Sequence, residues 1–139
     1  MIAFILGAII SFMVFFPTVI APIIFKIYDE EESGKFLRIF FPRYYLFGLI
    51  LSVIGLFVSL YKNEMIIILA FSFLIVTFLF SRQILTPKIN EAKDEMENNN
   101  EKSKKKFDKL HLFSVTINFF QIIMCVLVMS NIFIFQFKI

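Results

Sequence analysis

The side chains best suited to chemistry lie on one stripe of the last apolar segment of the chain. They are His111, Ser114, Asn118, Gln121 and Cys125. At about 100° per residue, these side chains fall within roughly 80° of one another on a helix. An amide without a partner is costly in hydrocarbon, so we expect the stripe to face other helices or a wet cavity.

Two roles are open for this stripe. As a structural residue, the imidazole of His111 would bond a carbonyl or hydroxyl of a neighbouring helix. As a functional residue it would relay protons or bind a ligand together with Ser114, Asn118, Gln121 and Arg82. Arg82 lies near the end of the third apolar segment, where it can instead anchor at the interface by extending its stem.

Sulfur ligands give a weaker possibility. Cys125 and Met129 share the face of His111, and Met13 could lie opposite them in a bundle. Soft ligands of this kind suit monovalent copper, but they also serve as apolar filler. A single cysteine excludes an intrachain disulfide and a cysteine-pair metal site, and a single histidine excludes bis-histidine haem within one chain. We expect no cofactor.

Enzyme chemistry is not predicted. The apolar segments contain no paired carboxylates, and the chain has no glycine-rich phosphate loop and no zinc-ligand spacing. Ser114 lies three residues from His111, but no acid is placed to orient the ring.

The elements that position these residues are predicted to be membrane helices. Of 139 residues, 59% are hydrophobic and 21 are Phe, and the mean hydropathy is +0.83. This predicts an all-α integral membrane four-helix bundle in one domain, residues 1–139. We expect a short cytoplasmic helical arm between helices 3 and 4, with a disordered loop as the alternative. The expected spans are about 2–25, 44–61, 65–85 and 110–135.

Prolines and polar residues suggest where the spans bend or begin. We expect a kink or early unwinding near Pro22 in the first span. Ser33-Gly34 is a natural break, followed by a surface segment from Lys35 to Phe41 and a second span that begins at Pro42. Asn98–Asn100 is typical of a turn between the helices of the arm.

The second span carries a pattern for close helix packing. Small residues at four-and-three spacing let two helix backbones approach each other where water provides no driving force. They are Gly48, Ser52, Gly55 and Ser59. Tyr44, Tyr45 and Tyr61 lie at the two ends of the span, where amphipathic rings favour the membrane interface.

Charge distribution predicts orientation and partners. The first and third connections hold twelve Lys and Arg residues, whereas the other side holds Lys62 and Lys138. The positive-inside rule then places both termini outside the cytoplasm. The Phe, Ile, Lys and Asn bias suggests an AT-rich bacterial genome, so we expect the membrane to be a bacterial inner membrane. The basic cluster is interleaved with acids, so we expect a lipid bilayer and no nucleic acid as partner.

Several local patterns resemble a known family. They are Ser11-Phe12, residues 19–25, Ser33-Gly34, residues 40–45 and 86–90, and the His-x-x-Ser-x-x-x-Asn pattern at His111, Ser114 and Asn118. Together they resemble the transmembrane protein 205 family and its bacterial relatives, which are usually filed as a domain of unknown function. The resemblance implies a four-span membrane protein and, for some relatives, a link to tolerance of platinum drugs. It implies no reaction, ligand or catalytic residue, and similar folds host unrelated functions.

Two functions therefore stay open. The first is a membrane module, alone or as a homo-oligomer, that moves or senses a small solute or ion through a polar seam on helix 4. The alternative is a structural or assembly protein with no ligand, whose cytoplasmic arm recruits a membrane protein or other partner. Alanine substitution of His111 and Asn118 would separate them.

Overall fold

A computed structural model of the chain describes residues 1–96 and 101–137. Within these residues the fold is all-α, as predicted, and no strand is present. Four helices are long and apolar enough to cross a membrane. The turn expected at Asn98–Asn100 lies outside the described residues. The helices are α1 (Ile2–Ile27), α2 (Glu30–Lys62), α3 (Met65–Met96) and α4 (Glu101–Phe137).

Helix α2 begins earlier than expected. The Asp29 side chain caps it by accepting a hydrogen bond from the Glu32 amide at 2.8 Å, and acidic residues fill the first turn. The prediction of a break at Ser33-Gly34 is wrong, because the helix runs through it, and Pro42 lies inside the helix and not at its beginning. The Asp29 cap and the acidic first turn stabilise the start of the helix by more than a single glycine destabilises it.

Proline also fails to unwind α1. The predicted early unwinding near Pro22 is wrong, because Ala21–Ile27 is α-helical. The helix instead widens into a π-helical turn at Phe16–Ile20, which contains Pro17. A similar π-helical turn in α3, Ser81–Leu85, lies just before Pro87. A proline has no amide hydrogen, and a local change to longer hydrogen-bonded turns keeps the helix continuous around it.

The helices form a ring in chain order. The most extensive contacts join α2 to α3, and α4 contacts both α3 and α1. Helices α2 and α4 therefore lie across a diagonal of the bundle. Leu6, Ile9, Phe71, Leu74 and Phe78 are fully buried at its core.

The small residues of α2 face α3, and we call Gly48, Ser52, Gly55 and Ser59 the packing face. All four are buried. A Cβ added at Gly48 would lie 2.6 Å from Phe78 Cζ, and one at Gly55 would overlap the Phe71 ring. The hydroxyls of Ser52 and Ser59 donate to carbonyls of their own helix, at 2.7 and 2.9 Å. The packing face is thus both close-fitting and fully hydrogen-bonded.

Charged side chains join three helices at one end of the bundle. We call residues 26–43, 86–96 and 101–109 the charged end. Arg38 of α2 pairs with Asp94 of α3, and Lys93 pairs with Glu30 at 3.4 Å. Lys106 of α4 pairs with Glu95 of α3 at 3.1 Å. The start of α2 therefore packs with the end of α3, and the end of α3 in turn pairs with the start of α4.

Candidate polar site in the bundle

A hydrogen bond crosses the middle of the bundle. The hydroxyls of Tyr45 on α2 and Ser114 on α4 lie 3.1 Å apart, and either can be the donor. Tyr45 is 2% exposed and Ser114 is 8% exposed. Because α2 and α4 are diagonal partners, this bond places polar atoms at the centre of the helix ring.

A second hydrogen bond joins α4 to α3. Gln121, which is fully buried, donates from Nε2 to Thr77 Oγ1 at 2.7 Å. The Thr77 hydroxyl hydrogen is directed at backbone carbonyls of its own helix, with Phe73 O at 2.9 Å. With its own hydrogen donated to the Phe73 carbonyl, Thr77 Oγ1 accepts the hydrogen bond from the Gln121 NH₂ group. This orientation turns Gln121 Oε1 away from Thr77.

Three buried oxygen atoms are left without a hydrogen-bond partner among the described residues. They are Gln121 Oε1, Asn118 Oδ1 and Ser81 Oγ. Ser81 lies one helical turn beyond Thr77, and Asn118 lies nearly one turn before Gln121 on the antiparallel helix α4. The Thr77–Gln121 bond thus places Ser81 and Asn118 at about the same level of the bundle.

We call the six residues the polar seam. They are Tyr45, Thr77, Ser81, Ser114, Asn118 and Gln121. Asn118 is half-buried and approaches the Tyr45 hydroxyl, whereas its Oδ1 has no partner. A buried polar oxygen without a partner costs about 1–3 kcal/mol, so three at similar levels of α3 and α4 need an explanation.

Ser81 opens the π-helical turn of α3. The Ser81 carbonyl accepts from the Thr86 amide and from Thr86 Oγ1, the latter at 2.8 Å. The backbone at this turn is therefore well satisfied, while the Ser81 hydroxyl has no partner among the described residues. Single π-helical turns are frequent at functional sites because they change the direction of one side chain without ending the helix.

His111 lies apart from the seam. Its side chain is exposed, and its ring stacks on Phe107 with centroids 5.9 Å apart. His111 is at the margin of the predicted stripe, where a small rotation of α4 directs a side chain outward. Arg82 is half-buried and donates from Nε to the Pro42 carbonyl at 3.2 Å. The structure thus brings together Ser114, Asn118 and Gln121, but not His111 or Arg82.

The sulfur residues lie in the apolar core. Cys125 and Met13 are buried in the same hydrophobic cluster, and Met129 packs against it. Within residues 1–96 and 101–137 no group of three His, Cys, Asp or Glu side chains is placed to hold a metal ion. The surroundings of Cys125 are those of a small apolar filler.

Comparison with protein families identifies a relationship over the first three helices. A domain of unknown function (DUF4149) matches residues 2–98, which is more than half of the chain. The chain belongs to this family. The DUF4149 match ends before α4 and therefore before the pattern of His111, Ser114 and Asn118. No curated protein and no solved structure matches the chain.

Three seam residues of this DUF4149 protein were not predicted as site residues. Tyr45 was expected at an interface, and Thr77 and Ser81 were not selected. One signal could have identified Tyr45, since it lies three residues before Gly48 and so extends the packing face by one turn. The four-residue spacing of Thr77 and Ser81 is a similar signal on α3.

A crevice opens at the end of the bundle opposite the charged end. It has a volume of about 720 Å³ and lies between the start of α1, the α2–α3 turn and the last turns of α4. Lys62, Glu64 and Asn131 line it together with apolar side chains such as Ile67 and Val128. Val128 lies three residues beyond Cys125, so the crevice ends about two turns of α4 from Gln121.

Proposed function

We propose that this protein is an integral membrane protein that binds a small polar solute or ion in the polar seam and moves it across the bilayer. The observation that carries the proposal is the set of three unpartnered oxygens on Ser81, Asn118 and Gln121. Their unused hydrogen-bonding capacity lies on α3 and α4 inside the bundle and is available to a polar solute or ion. Membrane proteins concentrate such groups along substrate pathways because they are costly elsewhere.

The outer surface supports a membrane location. Phe4 is 80% exposed, Phe57 69%, Ile66 69% and Leu127 64%. A soluble monomer rarely exposes apolar surface on this scale, whereas hydrocarbon chains solvate it without cost. Together with four helices of sufficient length, this surface favours insertion of the whole bundle.

The charges support an orientation. Under the positive-inside rule the charged end lies in the cytoplasm and both termini lie outside it, in a bacterial inner membrane. Residues 86–96 and 101–109 would then form the cytoplasmic arm, and the start of α2 would pack beside it. The crevice near Lys62 and Glu64 would open on the opposite side.

A relationship to the transmembrane protein 205 family is part of the proposal. It rests on the residue patterns of the chain, and its most specific element is the spacing of His111, Ser114 and Asn118. We do not extend platinum-drug tolerance to this protein, because no seam residue offers a soft sulfur ligand.

The second candidate is an assembly protein without a ligand, alone or as a homo-oligomer. The observation that favours it is the charged end. There, ion pairs connect three helices and form one charged surface to which a partner would bind. On this hypothesis the polar seam would only join the helices through hydrogen bonds. The bonds of Tyr45 to Ser114 and of Gln121 to Thr77 fit that role, but the three unpartnered oxygens do not.

The test is solute uptake into proteoliposomes. Wild type, Gln121→Met and Asn118→Leu are compared by light scattering during swelling in iso-osmotic urea, glycerol and NaCl. Both substitutions keep side-chain volume and remove an unpartnered oxygen, so the bundle should remain folded. We expect at least one solute to enter faster with wild-type protein than with empty vesicles, and both variants to lose that advantage.

Ser52→Ala is the matched control, because it also alters a buried polar residue but one whose hydroxyl is bonded within its own helix. It should leave uptake unchanged. If uptake of every solute is the same for wild type, variants and empty vesicles, the transport proposal fails and the assembly hypothesis replaces it. His111→Ala should behave as Ser52→Ala does, since the His111 side chain is exposed and stacked on Phe107.

A further inference from the structure

We infer that the polar seam binds a monovalent metal cation, Na⁺ or K⁺, through the oxygens of Ser81, Asn118 and Gln121. The inference rests on the proposed function and names the class of ion that the seam would take. Three features carry it, namely the kind of atom left unpartnered, the absence of carboxylates from the spans, and the position of the nearest cationic side chain.

The unpartnered atoms all carry partial negative charge. Two are amide oxygens and one is a hydroxyl oxygen. The Gln121 NH₂ group donates one hydrogen bond to Thr77, and the Gln121 amide oxygen has no partner among the described residues. Oxygens of this kind replace the hydration shell of an alkali cation, and a hydroxyl ligand can turn its hydrogen away from the ion. The two amide oxygens cannot donate to an anion.

The charge of the surroundings limits the ion to one positive charge. Residues 44–61, 65–85 and 110–134 contain no Asp or Glu. Ca²⁺ and Mg²⁺ sites in proteins normally include carboxylates, which balance the second charge and supply strong oxygen ligands. Neutral oxygens alone can stabilise a monovalent ion, since K⁺ filters use carbonyl dipoles for the same purpose.

The nearest cationic side chain does not occupy the seam. Arg82 follows Ser81 directly, but its guanidinium group donates from Nε to the Pro42 carbonyl on α2. The positive charge of Arg82 is thereby held at the α2–α3 contact and on the charged side of the seam. An ion at the level of Asn118 would therefore contact the partly negative amide oxygens before it approached the Arg82 guanidinium group.

The ligands come from two helices that meet only in the folded bundle. Ser81 lies on α3, and Asn118 and Gln121 lie on α4, with Thr77 and Gln121 joining the helices at that level. An ion bound there should stabilise the folded protein in proportion to its occupancy. Binding can therefore be measured on the purified protein without an uptake assay.

The test is thermal unfolding of the purified protein in detergent at constant ionic strength. Chloride is the common anion, and the cation is Na⁺, K⁺ or N-methyl-D-glucamine, which is too large for a site within one helical turn. We expect Na⁺ or K⁺ to raise the Tm relative to N-methyl-D-glucamine. A further sample in sodium gluconate keeps the cation and changes the anion, and its Tm should match that in NaCl.

Seam variants then locate the effect. Gln121→Met and Asn118→Leu should each weaken the apparent cation affinity by about tenfold or more, which corresponds to loss of one good ligand. Ser52→Ala should keep the full cation-dependent shift. Two seam variants are used so that poor folding of one leaves the other informative.

The inference is overturned by a Tm that does not respond to the cation, by one that follows the anion, or by a cation-dependent shift that both seam variants retain. These outcomes are separate from failure of the proposed function. If Gln121-dependent swelling persists in urea or glycerol, the seam carries a neutral solute and the cation inference alone is wrong. If no seam-dependent flux exists for any solute, the proposed function itself is wrong.

Discussion

The packing face and the polar seam use similar residues in opposite ways. The packing face combines glycines and serines of α2 with phenylalanines of α3, and both of its serine hydroxyls bond carbonyls one turn away. The polar seam also carries small hydroxyl and amide side chains, but its bonds cross between helices and three of its oxygens have no partner among the described residues. The two regions lie within a few turns of each other on α2 and α3.

The difference separates packing from binding. A serine that bonds its own helix has no remaining demand for a partner, so the packing face can bring α2 and α3 close together without a polar penalty. An unpartnered amide oxygen can still accept a hydrogen bond from a ligand or contact a cation. Natural proteins depart from full hydrogen bonding mainly at functional sites, and within the part of the chain that the structure describes the buried side-chain oxygens without a partner are those of the seam.

The largest effect should come from adding one methyl group to the packing face. In Gly55→Ala the new Cβ overlaps the buried Phe71 ring, which must move or force α2 away from α3. Overpacking of this kind costs about 1–3 kcal/mol of the free energy of unfolding. Thermal unfolding in detergent should show a clear drop in Tm.

Gly7→Ala is the control for that substitution. Nothing lies within 4 Å of a Cβ built at Gly7, so this change should be neutral or stabilise α1 by up to about 1 kcal/mol. Replacing Phe71 by Leu in the Gly55→Ala protein should recover part of the loss. Equal Tm values for Gly55→Ala and Gly7→Ala would show that α2 and α3 are not in close contact.

A smaller effect is expected at the central hydrogen bond. Tyr45→Phe removes the hydroxyl that bonds Ser114 and leaves the Ser114 side chain buried without that partner. Interhelical bonds of this kind contribute about 0.6–1.5 kcal/mol. Chemical denaturation in detergent should therefore show a measurable loss for Tyr45→Phe. Ser52→Ala should change stability less, because the Gly48 carbonyl keeps its backbone bond when the serine hydroxyl is removed.

Gln121→Met should not lower the stability of the folded protein as the two substitutions above do. The substitution removes an oxygen without a partner, and Thr77 still donates to carbonyls of its own helix. We expect stability in a cation-free buffer to stay within about 0.5 kcal/mol of wild type or to rise. If Gln121→Met instead lost as much stability as Gly55→Ala, the seam would serve to hold the helices together. The seam and the packing face would then have the same structural role.

The regular features of the fold were accessible from the sequence. Apolar segments of sufficient length predict four helices, and the spacing of Gly48 and Gly55 predicts a face that meets another helix. The extent of α2 was not accessible, because Ser33-Gly34 and Pro42 are usual signs of a boundary. Their tolerance depends on tertiary contacts such as those of Arg38 and Asp94, which join residues far apart in the chain.

The polar stripe was predictable to within one residue at its margin. Ser114, Gln121 and Cys125 are buried, whereas His111 is exposed. Helical periodicity gives the direction of a stripe but not the rotation of the helix, and a rotation of about 20–30° decides which edge residue is buried. The spacing of Tyr45 and Gly48 indicates that Tyr45 lies on the packing side of α2, but no local pattern identifies its hydrogen-bond partner Ser114 on the diagonal helix.

The smallest expected effect lies outside both regions, at the charged end. The hydrogen bond from the Arg38 guanidinium lowers the pKa of Asp94 below its ordinary value. A carboxyl group with a lowered pKa in the folded state stabilises that state above its unfolded pKa, and the stabilisation is lost as the pH falls through the folded pKa. Asp94→Asn should therefore lower the Tm slightly at pH 7, with no change in that difference between pH 6 and 8. The difference should shrink below about pH 4, near the unfolded pKa of Asp.

Glu91→Gln, at an exposed carboxylate on the same helix, is the control. A difference between Asp94→Asn and wild type that persists unchanged to pH 3 would show that the substitution acts through something other than the ion pair with Arg38.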